Sequence, residues 1–401
     1  MTSAWLLPEH LADVLPIEAR QVETLRRLLL DTARLYGFEL VMPPMLEHLD
    51  AMLQGGAASL NLKTFKVVDQ KSGRTLALRS DATPQAARID AHLLNRDGVV
   101  RLCYCGPVLH ALPDEPASSR EALQFGAELF GHAGLEADLE ILDLTLHCAR
   151  ELGLQGTVLD LADARLLRAL LELHAAQGGT PLSASRQDAL AQALAHKDLS
   201  TLEQLSSAWP RTLRQPLLAL LDLYGEIGQD GPRPLLERAR VALPDHPLIR
   251  AALSDLADLA DHLRRTHPGQ RLSLDLSDMG SSGYYTGVRF ALFAPGCNRS
   301  LLRGGRYDAI GAAFGRERPA VGFSVDVKAL VDVAQRPQRQ QAVLAPWHPD
   351  AALRQAVQQL RAEGQTVVCA LPGHAPQTDE FDLTGQLAHQ GGQWRVVPLA
   401  P

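Results

Sequence analysis

The stretch RLCYCGPVLHALPDEPASSREALQFGAELFG, residues 101–131, constrains the fold most, because two strand-like segments enclose a loop. The first segment, 102–109, breaks at a Gly-Pro pair, whereas the second alternates cleanly. An alternation of period two predicts a β-strand with one apolar face, formed here by Leu123, Phe125, Ala127 and Leu129. The stretch therefore predicts the central hairpin of a sheet.

The opposite face of the second segment carries Gln124, Gly126 and Glu128. A small polar ligand could lie against the bare backbone at Gly126, with the amide and the carboxylate on either side, and Glu128 would suit an ammonium group. Taken alone, an alternating strand more often belongs to a half-exposed sheet whose second face is in water. Neighbouring motifs must decide between the two interpretations.

Composition excludes several classes of protein. A chain of 401 residues exceeds the usual size of one core, so two or three domains are expected. A net charge of -7 provides no broad cationic field, which argues against nonspecific binding of nucleic acid or membrane surfaces. Five scattered cysteines form neither a disulfide framework nor a C-x-x-C zinc pair, so reduced core thiols are expected. No metal site and no cofactor are expected.

The first residues, MTSAWLLPEHLADVLP, lack the basic end and the apolar run of a secretory leader, and no later apolar run reaches membrane-spanning length. A cytoplasmic location is expected.

The N-terminal part predicts alternating helices and strands. A helix over 17–36 ends at Gly37, a strand over 38–42 ends at a Pro-Pro pair suited to a sheet edge or a subunit contact, and 65–69 with 74–79 form a hairpin. In Ser80-Asp81-Ala82-Thr83-Pro84, Thr83 is a good N-cap for a helix reaching Leu94, and Asp81 has a carboxylate to spare.

The chain as a whole predicts four segments, two of which form one core. The first part of a core comprises 1–161, a helical insertion 162–270, the second part of the core 271–335, and a small C-terminal α/β domain 336–401. The second core part should end with a strand at 321–325 and a helix at 326–331. Strands near 342–347, 366–371 and 394–398 with a helix near 351–361 make up the last domain.

Several motifs in a shared order, LALRSDATPQAARI, CYCGPVL, FGAELFG, GYYTG, GGRYD and PAVGF, resemble the catalytic core of class II aminoacyl-tRNA synthetases, and in particular the histidyl-tRNA synthetase branch. The resemblance covers roughly the first 155 residues and 272–330. It implies an α+β fold, an antiparallel sheet with flanking helices.

The same resemblance implies a histidine site formed by Asp81, Thr83, Gln124, Glu128, Tyr284 and Tyr285. The residue types agree with that role. The two carboxylates would attract an ammonium group, Thr83 and Gln124 offer neutral hydrogen bonds, and an aromatic pair can wall an imidazole.

The residues that activate the amino acid in synthetases are missing. The resemblance places His110, Gly280 and Ala329 where synthetases carry arginines that bind ATP phosphate or the amino acid, and Leu112 where they carry glutamate. A mostly neutral imidazole cannot replace a permanently charged guanidinium, and each lost donor costs about 3 to 4 kcal/mol of transition-state stabilisation. Arg120, in the same loop, is a candidate substitute.

This combination, together with WLLPEHLADVLPIEA and VVDQKSGRTLALRSDATPQAARID, resembles the regulatory subunits of ATP phosphoribosyltransferase more closely than true synthetases. The resemblance implies a non-catalytic subunit of histidine biosynthesis that assembles with the short-form catalytic subunit and transmits feedback inhibition by histidine. It implies a self-dimer within a larger hetero-oligomer, with no nucleic acid or membrane partner. Two alternatives are a divergent histidyl-tRNA synthetase and a scaffold subunit with a vestigial pocket.

Overall fold

The computed structural model describes residues 6–54, 63–113, 118–280, 283–334, 339–374 and 381–399. Its contacts divide the chain into two compact units, 1–12 with 24–334 and 13–23 with 335–401. The three boundaries expected from the sequence between its four segments remain predictions.

The strands are β1 Glu39–Leu40, β2 Leu46–His48, β3 Lys66–Val68, β4 Thr75–Leu78, β5 Val100–Leu109, β6 Glu121–Phe130, β7 Val158–Asp163, β8 Tyr224–Glu226, β9 Arg271–Asp275, β10 Val288–Phe293, β11 Leu302–Arg306, β12 Ala320–Asp326, β13 Gln340–Ala345, β14 Val367–Cys369, β15 Phe381–Gln390 and β16 Gln393–Val397. The α-helices are α1 Pro16–Leu35, α2 Leu49–Gln54, α3 Thr83–Arg88, α4 Leu135–Glu151, α5 Arg165–Ala176, α6 Ala184–Ala195, α7 Leu199–Leu205, α8 Arg211–Ala219, α9 Arg233–Ala242, α10 Pro247–Thr266 and α11 Ala351–Ala362.

A large sheet forms the centre of the first unit. Within the described residues its strand order is β1-β5-β6-β12-β11-β10-β7-β9-β8, and the six strands from β5 to β7 are antiparallel. The predicted hairpin is present as β5 and β6, with Tyr104 opposite Gly126 and Leu102 opposite Glu128. Because facing residues of antiparallel strands share a face, Tyr104 and Leu102 lie on the face of Glu128.

Residues 125–130 of β6 are buried on both faces, so the interpretation of β6 as a half-exposed strand is wrong. Helix α4 packs on β6 and β12. On the other face, small residues of α3, among them Ala86 and Ala87, pack in one core cluster with Leu102 and Tyr104. A helix with small side chains approaches a sheet closely, which removes water from that face.

The segment before the hairpin differs from prediction. The strand expected over 38–42 contains just Glu39–Leu40, paired in parallel with β5, and a separate antiparallel sheet joins β2, β4 and β3. The helix expected from Thr83 to Leu94 changes into a π-helix at Ile89–Leu94. Thr83 is not the N-cap, since Ala82 takes that position without a side-chain cap.

The insertion is helical as expected, with α5 to α10 between β7 and β9. It also contains the short strand β8, which pairs with β9 at the edge of the sheet. The helix expected at 326–331 is wrong, because a single 3₁₀ turn, Lys328–Leu330, follows β12.

The second unit contains a mixed sheet of order β14-β13-β15-β16 packed on α11. The sequence analysis missed β15, although Phe381, Leu383 and Leu387 alternate there with polar residues. No helix of the described residues is long and apolar enough to cross a membrane.

Candidate functional site

Glu128 lies in the middle of the large sheet, opposite Leu102 on one side and Gly322 on the other, and is 1% exposed. Its carboxylate oxygen Oε1 accepts a hydrogen bond of 2.9 Å from the hydroxyl of Tyr104. That hydroxyl lies 2.9 Å from Thr83 Oγ1, so the three side chains form one buried chain of hydrogen bonds. The Thr83 hydroxyl is available for this contact because it does not cap helix α3.

Gly126 does not leave open backbone for a ligand, as the sequence suggested. A Cβ atom at Gly126 would lie 2.3 Å from the Tyr104 hydroxyl, so the tyrosine occupies the space above this glycine. The missing side chain thus allows Tyr104 to lie flat on the sheet and reach Glu128. A ligand must bind above this layer.

Asp81 and Gln124 form a second group beside the first. The Gln124 amide donates to Asp81 Oδ1 over 2.9 Å, and Gln124 Oε1 accepts from the backbone N–H of Ala82 over 2.9 Å. Asp81 Oδ1 also accepts from the N–H of Thr83 over 3.0 Å. These bonds fix the Asp81 carboxylate at the start of α3, where the helix dipole favours negative charge.

Two buried oxygens in the site have no hydrogen-bond partner among the described residues: Glu128 Oε2 and the Tyr307 hydroxyl. Both lie next to Gly322, because a Cβ atom there would be 1.9 Å from Glu128 Oε2 and 2.3 Å from the Tyr307 hydroxyl. Buried polar atoms are nearly always hydrogen-bonded, so this pair indicates a place for a ligand donor.

Three tyrosine rings line the other side. The centroids of Tyr284 and Tyr285 are 5.0 Å apart in an edge-to-face arrangement, and Tyr307 lies 5.3 Å from Tyr284. Burial raises the pKa of Tyr284 well above its ordinary value. The negative charges of the nearby Asp81 and Glu128 carboxylates add to that rise.

Burial likewise raises the pKa of Glu128 well above that of an exposed glutamate. The hydrogen bond from Tyr104 opposes this rise, and the charge of Asp81 adds to it. A cation or a polarised N–H group at Oε2 would favour the ionised form. The site is therefore prepared for a ligand that carries positive charge or strong donors.

The four positions predicted to have lost activation residues lie in different surroundings. His110 Nε2 donates to the carbonyl of Ser80 over 2.9 Å, and Leu112 is exposed. Gly280 has φ +67° and leaves room for Tyr285 and Arg289. Ala329 lies in the 3₁₀ turn after β12.

Arg120, the candidate substitute, donates to the carbonyls of His110 and Glu9 and stacks on the ring of Phe65 at 4.6 Å. These contacts already use part of its guanidinium.

The six predicted site residues thus lie close together, and their role in binding histidine stays a prediction. Sequence reasoning missed Tyr104 and Tyr307. Tyr104 could have been found from the hairpin register, which places it opposite Gly126. Tyr307 lies in the GGRYD motif, but its orientation depends on neighbouring strands. No group of three or more His, Cys, Asp or Glu residues in the described part of the chain could hold a metal ion.

Comparison with protein families divides the chain in two. A family described as "Histidyl-tRNA synthetase" matches residues 10–330, and "ATP phosphoribosyltransferase subunit HisZ C-terminal domain" matches residues 340–397. The first match covers the large sheet and the insertion together.

Solved structures share the fold. An ATP phosphoribosyltransferase regulatory subunit/histidyl-tRNA synthetase from Bacillus halodurans is 26% identical, with a TM-score of 0.79 over 94% of this chain and 96% of that chain. Histidyl-tRNA synthetase from a Nostoc species, at 18% identity, has a TM-score of 0.74 over 94% of this chain and 88% of that chain, which concerns the fold alone. The expected α+β, class II synthetase-like architecture is confirmed.

Curated relatives are similar over nearly the whole length. The ATP phosphoribosyltransferase regulatory subunit of Albidiferax ferrireducens is 54% identical over 397 residues, 99% of this chain and 100% of the relative. The protein of the same name from Variovorax paradoxus is 52% identical over 398 residues, again 99% and 100% of the two chains. With a synthetase-like core and the C-terminal module of this group, the chain belongs to the family of ATP phosphoribosyltransferase regulatory subunits, which is non-catalytic and acts in histidine biosynthesis with a catalytic partner.

Proposed function

We propose that the chain senses histidine and transmits feedback inhibition to a short-form catalytic subunit. Histidine binds in the space between Asp81, Glu128 and the tyrosines, and bound histidine favours a less active arrangement of the complex. The complex contains a self-dimer of this chain and works in the cytoplasm. A reducing compartment agrees with the cysteines, since none of the five, all in described residues, forms a disulfide.

The observation that carries the proposal is the unpartnered Oε2 oxygen of Glu128, in a side chain that is 1% exposed. An amino acid such as histidine has both an ammonium group and an imidazole N–H, so it can satisfy Glu128 and Asp81 at once. The neighbouring Tyr307 hydroxyl and the flat faces of the tyrosines suit the imidazole ring. This orientation places the ring at the deep end and the ammonium group near Asp81 and Gln124.

The absence of guanidinium groups at His110, Gly280 and Ala329 supports a sensing role over amino-acid activation. A ligand pocket that keeps its carboxylates but loses these cations can hold the amino acid without stabilising the charge that develops on ATP phosphate.

Calorimetric titration of histidine into the purified chain, alone and with the catalytic subunit, tests the proposal. We expect one histidine site per chain. The affinity for histidine should fall about tenfold or more in Asp81→Asn and in Glu128→Gln, since each variant removes a charge-assisted hydrogen bond. Glu237→Gln, on an exposed helix face, is the matched control and should bind like the wild type. The sensing role is excluded if histidine binds neither the chain nor the complex.

Activity of the complex against histidine concentration tests the coupling. Because coupling is reciprocal, substrates that favour the active arrangement must weaken histidine binding by the factor by which histidine weakens theirs. A pocket variant that loses binding while inhibition is unchanged would make the pocket vestigial. ATP-pyrophosphate exchange, measured in parallel, should be undetectable.

A further inference from the structure

A zwitterionic amino acid needs a cation for its carboxylate as well as anions for its ammonium group, and the arginines expected for this purpose are missing. Arg79, two residues before Asp81 in the sequence, does not substitute for the missing arginines. Its guanidinium donates to the carbonyls of Pro43 and Pro107 and to Gln85, and burial lowers its pKa. Arg79 therefore has a structural role, in which it connects the segment at Pro43 to strand β5 at Pro107.

Arg289 is a different case, because it lies in the same row of the sheet as Glu128. Across β6, β12, β11 and β10 the facing residues are Glu128, Gly322, Gly305 and Arg289. Facing residues of antiparallel strands share a face, so the carboxylate and the guanidinium stand on one surface with two glycines between them. Three strand spacings place their backbones about 14 Å apart, and the rings of Tyr285 and Tyr307 lie beside Gly305 and Gly322 between them.

The guanidinium of Arg289 is buried and incompletely bonded. The residue is 6% exposed, and its guanidinium forms an ion pair with the Asp278 carboxylate and donates to the Asp278 carbonyl over 3.2 Å. Its Nε, by contrast, has no hydrogen-bond partner among the described residues. One edge of the guanidinium is thus held by Asp278, and a donor on the other edge is unused.

The location of this unused donor connects Arg289 with the candidate site. The guanidinium carbon lies 5.7 Å from the ring centroid of Tyr285. A Cβ atom at Gly280, the position where a synthetase-like arginine is absent, would lie 3.0 Å from Arg289 Nε and 2.7 Å from the Tyr285 ring. Arg289 and Tyr285 therefore occupy the volume that a side chain at Gly280 would need.

We propose that Arg289 binds the carboxylate of the amino acid whose positive groups lie at Asp81 and Glu128. This inference rests on the proposed function and adds a residue to it. A guanidinium has five donors in a planar fork, so Asp278 can hold one edge while the ligand carboxylate accepts from the other. The cation thus comes from strand β10 instead of from the loop at Gly280.

The test compares histidine with histidinol, in which an alcohol replaces the carboxylate while the ammonium group and the imidazole remain. Calorimetry with wild type should show tighter binding of histidine. In Arg289→Met we expect histidine affinity to fall about 10- to 100-fold, the size of a charge-assisted hydrogen bond, with little change for histidinol. Arg289→Lys keeps the positive charge without the planar arrangement of donors, so its affinity for histidine should fall less than that of Arg289→Met.

Arg303→Met is the matched control. Arg303 faces Ala291 in the register, on the same sheet face as Arg289, but it is exposed, so its variant removes the same charge from that face without emptying the buried position. We expect it to change the affinity of both ligands little.

An equal loss of histidine and histidinol affinity in Arg289→Met would mean that Arg289 only supports the pocket, and this would overturn the inference while the proposed function stands. If Arg289→Met does not fold, Arg289→Lys decides, because a preferential loss of histidine is still expected from it. Wild type that binds neither ligand would overturn the proposed function, and this inference with it.

Discussion

At the scale of single residues, the site depends on how completely Glu128 is removed from water. Tyr104 satisfies one of its carboxylate oxygens and nothing in the described residues satisfies the other. Burial raises the pKa of this carboxyl group, so burial favours its protonated form. A cation bound at this carboxyl group would favour the ionised form instead, so binding and proton release would be linked.

The raised pKa of Glu128 predicts a pH-dependent gain in stability for Glu128→Gln. Between the ordinary glutamate pKa and the raised folded-state pKa, the folded chain binds more protons than the unfolded chain, so the free energy of unfolding of wild type falls as pH rises. The glutamine amide of the variant does not titrate, and its oxygen can still accept a hydrogen bond from the Tyr104 hydroxyl. We expect the variant to gain stability relative to wild type as pH rises through this window, measured by urea unfolding at several pH values without histidine.

Glu237→Gln, at an exposed position, is the control and should show no such trend. A constant difference between Glu128→Gln and wild type from acid to neutral pH would mean that the carboxyl group does not titrate differently in the folded chain.

At the scale of elements, glycines and tyrosines are matched across strands. Tyr104 covers Gly126, Tyr307 lies next to Gly322, and Tyr285 lies 2.8 Å from the position of a Cβ at Gly305. A side chain at any of these glycines would force an aromatic ring off the sheet. These glycines therefore make room for the pocket wall and do not serve as a bare floor for the ligand.

A buried ion pair joins helix α4 to strand β11, and its removal should be costly. Arg306 contacts Asp138 over 2.5 and 3.3 Å, and the two side chains are 10% and 2% exposed. Arg306→Met leaves the Asp138 carboxylate buried without its partner, which predicts a loss of about 3 to 5 kcal/mol in the free energy of unfolding.

The matched control is Arg271→Met, which removes a similar bidentate contact with Glu226 at the surface. Because water screens exposed pairs, its effect on denaturant unfolding should be much smaller. Equal losses in the two variants would contradict the role assigned to burial.

Elements with strong local signals were predictable, and the exceptions have physical causes. The hairpin β5–β6 follows from periodicity, and helix α1 follows from periodicity and from Gly37 at its end. The single 3₁₀ turn at Lys328–Leu330 was not predictable. The Asp326 carboxylate accepts hydrogen bonds from the N–H groups of Leu123 and Lys328, which holds the chain against β6 directly after β12. Such a long-range bond leaves no periodic signal.

At the scale of the whole molecule, the candidate site belongs entirely to the unit that contains 24–334. The other unit combines 335–401 with 13–23, and within it the guanidinium of Arg20 lies 5.6 Å from the ring centroid of Phe381. The family matches also divide the chain between 330 and 340. Histidine binding and the properties of the C-terminal module should therefore be separable.

Removal of 335–401 should leave histidine binding unchanged while the start of helix α1 loses protection. Residues 13–23 lose the other part of their compact unit, so hydrogen exchange of the amides in 16–23 should accelerate. Calorimetry and exchange on the same preparation measure both effects. Loss of histidine binding in a folded truncated chain would contradict the separation.

The sequence by itself determined the synthetase-like fold and predicted the two carboxylates Asp81 and Glu128 and the lost arginine positions, because residue identity and ordered motifs are local information. The tertiary structure alone decided that Tyr104 fills the space over Gly126, that Glu128 keeps an unsatisfied oxygen, and that Arg289 stands in its row. These features depend on strand register and burial, which arise when distant segments pair and exclude water.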